Sequence, residues 1–128
     1  MPETTTLTLA AIEAAIRESW GRDTSDDPDE WTPEVPTRGQ CAVTSIVLRE
    51  LLGGEILMAD VFGSHIDGER HAWNRLPGGI EIDLTLDQFR AGETLGPAAP
   101  DEPYVTDTGI DRGALLSARV RQRLGLTA

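Results

Sequence analysis

The chain contains a single cysteine, no lysine, no surplus of positive charge and no apolar run of membrane-spanning length. One cysteine excludes an internal disulfide and a multi-thiolate zinc centre, and it fits a reduced thiol. All eleven basic residues are arginine, set against twenty-two acidic ones, for a formal charge of −11. That balance repels a nucleic-acid backbone and an anionic membrane, so neither is expected as a partner. The opening Met1-Pro-Glu-Thr-Thr-Thr6 has no basic segment leading into an apolar one, so no secretion signal is expected. No stretch approaches the roughly 20 apolar residues of a membrane helix. The expectation is a cytoplasmic protein. No internal repeat or linker divides the chain, so residues 1–128 are read as one domain with one core.

Apolar residues make up 39% of the chain and recur periodically, which excludes wholesale disorder. Leu9, Ile12, Ile16 and Trp20 share a helical face, so the spacing predicts a helix from Leu9 to Trp20, capped at Thr8 or a neighbouring threonine and ended by Gly21. Residues 22–40 follow as a long loop with an Asp-rich start, read as solvated, and three prolines. Trp31 is expected to pin this loop to the body, and the loop to shape the approach to Cys41 rather than to hold the fold. A second, nearly all-apolar helix spans Cys41–Leu52, closed by Gly53-Gly54, and should be central. Glu55–Phe62 reads as a strand. Residues 91–109 read as loop, and a last helix runs from about Asp111 to Leu124 with Gly125 as its stop.

Arg70–Leu76 and Ile80–Leu84 read as a hairpin around Pro77-Gly78-Gly79. A three-residue loop sets Arg75 opposite Glu81 and Trp73 opposite Asp83. One face then carries His71, Trp73, Glu81 and Asp83; the other gathers Ala72, Ile80, Ile82 and Leu84. This register brings Asp83 within diagonal reach of His71. Thr85-Leu86-Asp87-Gln88 has capping-box spacing for a short helical turn after the strand.

Cys41 opens a helix, and a helix N-terminus favours the thiolate of a thiol whose ordinary pKa is about 8.5. His71 and Asp83 on adjacent strands complete the order of a cysteine nucleophile, a base and an orienting acid. The expected chemistry is acyl transfer or hydrolysis on an amide, ester or thioester of a small molecule or peptide. The Cys41 backbone N–H, with the Gln40 side chain or amide, is the expected oxyanion donor, and Trp73 stands beside the substrate. No cofactor and no metal is expected. Cys41, His65, His71 and Asp83 together could ligate zinc, but no pair has the short spacing of a zinc site. His65 reads as a turn residue. Taken singly, Cys41 reads as a small buried hydrophobe, His71 as a bonded strand histidine and Asp83 as a strand-end carboxylate; the alternative function is a non-catalytic binding module.

Pro36-Thr-Arg-Gly-Gln-Cys-Ala-Val-Thr44, Gly53-Gly-Glu-Ile-Leu57, His71-Ala-Trp-Asn-Arg-Leu76 and Glu81-Ile-Asp-Leu-Thr-Leu-Asp-Gln-Phe89, with Ser19-Trp20 and Trp31-Thr-Pro33, resemble the YunG-like family of small bacterial proteins. The order of cysteine, His-x-Trp and aspartate also resembles the transglutaminase-like branch of the papain-like superfamily. That second resemblance implies Cys41 as nucleophile, His71 as base and Asp83 as orienting acid. It also implies an α+β fold with a small antiparallel sheet packed against helices.

Overall fold

A computed structural model describes residues 6–64, 66, 68–103 and 111–126. Among these, three helices pack on one small antiparallel sheet, an α+β architecture. Helix α1 (Leu9–Ser19) is capped by Thr8, whose hydroxyl accepts the Ala11 N–H at 3.1 Å. Its buried face is Ile12, Ala15, Ile16 and Ser19, while Leu9, expected on that face, is 50% exposed. Helix α2 has the predicted bounds, Cys41–Leu52. Helix α3 (Arg112–Leu124) starts at Asp111, whose carboxylate accepts the Ala114 N–H, and stops at Gly125 in the left-handed conformation.

Strand β1 (Glu55–Phe62) also has its predicted bounds. It pairs antiparallel with β2 (Arg70–Arg75), which pairs with β3 (Glu81–Ile82). The hairpin register is the predicted one, with Arg75 opposite Glu81. The second arm is shorter than expected. The Asp83 carboxylate accepts the Thr85 N–H at 3.0 Å, a local turn that competes with the ladder and ends it. The expected loop at 91–109 carries two short strands, β4 (Thr94–Leu95) and β5 (Ala99–Pro100), both on the other edge of β1. Two-residue strands with a proline show no alternation; the free edge of β1 recruits them.

Helix α2 is packed on two sides. Val43, Val47 and Leu48 meet Ile12, Ile16 and Trp20 of the α1 end and Leu116 and Val120 of α3. Cys41 and Ile46 meet Ile56, Met58 and Ala72 of the sheet. Buried polar bonds fix both contacts. The Trp20 indole donates to Thr44 Oγ1 at 2.9 Å, and the Asn74 amide donates to the Ser45 carbonyl at 2.9 Å. Ser45 lies one turn beyond Cys41, so the Asn74 bond sets the height of the thiol against β2.

The segment 22–40 is not a simple solvated loop. Thr24, Ser25 and Thr37 are fully buried. Asp23 pairs with Arg119, and Asp26 accepts from the buried Arg112 at 3.0 Å, so the Asp-rich stretch is tied to α3. Trp31 stays within the segment: its indole donates to the Pro36 carbonyl at 3.0 Å, and Arg22 lies over its ring.

Leu48→Ala, which empties a fully buried site where α2 packs on α1 and α3, should cost about 2–5 kcal/mol in urea unfolding. Ile80→Ser, at a side chain 67% exposed on the hairpin, should stay within about 0.5 kcal/mol of wild type.

Candidate active site

Gly39 delivers the chain to α2. Its φ is +72°, and a Cβ there would lie 2.3 Å from Ser25 Oγ and 2.7 Å from the Asp27 nitrogen. Only glycine satisfies both the left-handed backbone and this approach. Its carbonyl accepts the Asp26 N–H at 2.9 Å, folding the segment back on itself beside the thiol. Cys41 is then the first residue of α2, half-buried, where the helix leaves N–H groups without intrahelical partners.

Gln40 does not serve as an oxyanion donor here. Its side-chain amide donates to the Gly21 carbonyl at 3.0 Å and accepts from Thr24 Oγ1 at 2.8 Å. Its backbone N–H donates to the Thr37 carbonyl at 3.1 Å. The residue is fully buried and closes the segment onto the end of α1. A buried amide takes the nearest carbonyl and hydroxyl, and here those lie away from the thiol.

His71 on β2 is 1% exposed. Its Nε2 meets Asp83 Oδ2 at 2.5 Å, and Asp83 Oδ1 accepts the Thr85 N–H at 3.0 Å and hydroxyl at 3.2 Å. Trp73 stacks beside the ring with centroids 5.7 Å apart, and Phe89 meets it edge-on at 4.6 Å. The Trp73 indole donates to Glu81 at 2.7 Å, so the tryptophan braces the imidazole. The Cys41 thiol lies on the same cavity, near enough to act on the charge of the ring. Burial alone disfavours the imidazolium, but the bond to Asp83 and the influence of Cys41 outweigh it, and the His71 pKa is pushed up to about 9.

Cys41 and His71 open on one cavity of about 250 Å³. Its wall includes Asp27, Arg38 and Gly39 from the segment before α2, and Gln88 and Phe89 from the turn after β3. Burial, with the neighbouring Glu30 carboxylate, holds the Asp27 carboxyl above its usual range. Gln88, a capping-box residue by its spacing, instead lines the cavity beside His71. The 3-10 turn Leu86–Gln88 has no side-chain cap at Thr85. The Gln88 amide instead bridges His71 Nδ1 at 2.8 Å and the Gly39 N–H at 3.2 Å. Its place in the family-like run from Glu81 to Phe89 was the available signal, but capping spacing and a site glutamine look alike in sequence. His65 lies outside the described residues. Among the described residues, no group of three or more His, Cys, Asp or Glu has metal-binding geometry.

His71 gains its proton affinity on folding, from an ordinary 6.5 to about 9. Between those values the folded chain holds more protons than the unfolded one. The associated stability is therefore complete below about pH 6.5 and lost as pH rises through about 9. Urea unfolding across this range should show falling stability in wild type and a flatter profile in Asp83→Asn. A second expectation concerns Gly39→Ala: strain of about 1–3 kcal/mol, with the segment pushed off the cavity mouth, read by unfolding and by faster proteolysis within 22–40.

A family description, YunG protein, matches residues 8–125. The Bacillus subtilis (strain 168) protein described as uncharacterized protein YunG is 34% identical over 80 residues. That alignment covers 62% of this chain and 62% of the relative, so the chain spans less than two thirds of its length. No solved structure matches. The family match begins at the N-cap of α1 and ends at the C-cap of α3, with every element of the site between them. On that extent of agreement, this chain belongs to the YunG family.

Proposed function

We propose that this protein is a cysteine-dependent acyl hydrolase or acyltransferase with a papain-like, transglutaminase-like core, acting on an amide, ester or thioester. The observation that carries this reading is that His71, bonded through Nε2 to Asp83 at 2.5 Å, lines one cavity with the Cys41 thiol, which acts on its charge. With Nε2 held by Asp83, proton exchange with the thiol runs through Nδ1. The thiol proton passes to Nδ1, and the sulfur attacks the acyl carbon as a thiolate. The oxyanion faces the first turn of α2, where the Cys41 N–H points out of the helix and no side chain caps the end. The imidazolium then protonates the leaving group, and water or an acceptor resolves the thioester. Asp83, fixed by Thr85, holds the ring orientation through both steps.

A second reading, a non-catalytic binding module on the same fold, draws on the Gln88 amide, which sits on the nitrogen that the chemistry needs.

The test is acylation of the intact protein by a panel of activated esters and thioesters at mildly acidic pH, read by mass spectrometry. The expected result is one acyl group on Cys41 in wild type, none in Cys41→Ser, and a rate reduced by about 10²-fold or more in His71→Ala. Asp83→Asn should slow the reaction less than His71→Ala. Equal labelling of wild type and His71→Ala would instead identify a thiol that reacts without a base, as the binding-module reading requires.

A further inference from the structure

Gln88 is held from several directions. Its Oε1 accepts the Gly39 N–H at 3.2 Å, and its backbone carbonyl accepts from Arg38 at 2.6 Å. With the oxygen turned to Gly39, the amide nitrogen is the atom that meets the ring, 2.8 Å from His71 Nδ1 and 3.4 Å from Thr85 Oγ1. An amide nitrogen only donates, so Nδ1 must offer its lone pair. Nε2, against the Asp83 carboxylate, carries the hydrogen. The network therefore assigns a neutral ring in its Nε2–H tautomer. A proton arriving on Nδ1 would face an N–H and lose this bond.

Asp83 and Cys41 ask for the opposite state. Both favour the imidazolium, which needs an acceptor at Nδ1, and a Cys41 thiolate would be one. The two demands on Nδ1 exclude each other.

We propose that Gln88 is a positioning residue that latches His71 in its neutral form, so that the site exchanges between a Gln88-bonded imidazole beside a thiol and an imidazolium paired with the Cys41 thiolate. The exchange moves one proton from sulfur to Nδ1, breaks the Gln88 hydrogen bond and changes no other covalent bond. The latch is anchored at Gly39, on the cavity wall, so it joins the state of the ring to the geometry of the cavity mouth. Other charged groups on the same cavity are Asp26, Asp27 and Arg38 before α2, Glu69 and Arg70 at the start of β2, and Glu93 after the turn. The hydrogen bond stands on its own; its bearing on reactivity rests on the Cys–His reading above.

The test is nitrogen-15 NMR of the histidine rings in the full chain across pH, with His71→Gln to assign the signals. In wild type above the midpoint, Nδ1 should be unprotonated and show a scalar coupling across the hydrogen bond to Gln88 Nε2. Gln88→Met keeps the length and removes the donor; it should abolish the coupling and raise the His71 midpoint by about one unit. A glutamine that merely fills space predicts no rise, since an apolar neighbour disfavours the cation. Absence of the coupling in wild type overturns the latch, whether or not the variant folds. So does a midpoint that is unchanged or lower in a folded Gln88→Met. Alkylation of Cys41 at mildly acidic pH is read separately and should quicken in Gln88→Met. The NMR result stands even if no acyl donor is ever turned over, so failure of the latch and failure of the acyl chemistry are distinguishable.

Discussion

Burial of α2 on two sides is the constraint from which the rest of the structure follows. Val43, Val47 and Leu48 are withdrawn from water by α1 and α3, while Cys41 and Ile46 lie against the sheet. Each such aliphatic side chain contributes about 1.5–3 kcal/mol when fully buried, so a helix used on both faces anchors both halves of the core. Its N-terminus can then emerge at one place only. The Asn74 amide on the Ser45 carbonyl fixes how far along β2 that place is, because a buried amide left unpaired costs more than the bond itself returns.

A helix end so placed would be a gap in the surface without the segment before it. Residues 22–40 close that gap while leaving a cavity. Buried Thr24 and Ser25, the Gln40 amide and the ion pairs of Asp23 and Asp26 with α3 hold the segment down. Gly39 lets it pass within contact of its own earlier residues. The same residues thus serve stability and shape, and a loop so braced presents Cys41 at a fixed point rather than on a moving strap.

At that point, electrostatics are in competition. Burial works against a charged His71, Asp83 and Cys41 work for it, and Gln88 holds the nitrogen on which the question is decided. Thr85 satisfies the far oxygen of Asp83, which keeps the carboxylate aimed at the ring. Trp73 and Phe89 pack the imidazole and keep water from it, which strengthens every one of these interactions.

The parts of the protein that sequence by itself determined are those set by local periodicity. The bounds of α2 follow from an apolar run closed by two glycines, those of β1 from a β-branched and apolar run between turns, and the hairpin register from pairing Arg75 with Glu81 while keeping the apolar residues on one face. That register was enough to bring Asp83 towards His71. Tertiary structure decided the rest, because it depended on which distant partner lay nearest. Gln40, next to the thiol in sequence, spends its amide on Gly21 and Thr24; Gln88, far away in sequence, reaches the ring. The Asp-rich stretch, polar by composition, turns to α3 because arginines stand there. Strands β4 and β5 exist because β1 has an open edge, not because two residues and a proline favour extension. Polar side chains take whichever partner the packed core leaves within reach, and no periodicity along the chain encodes that choice.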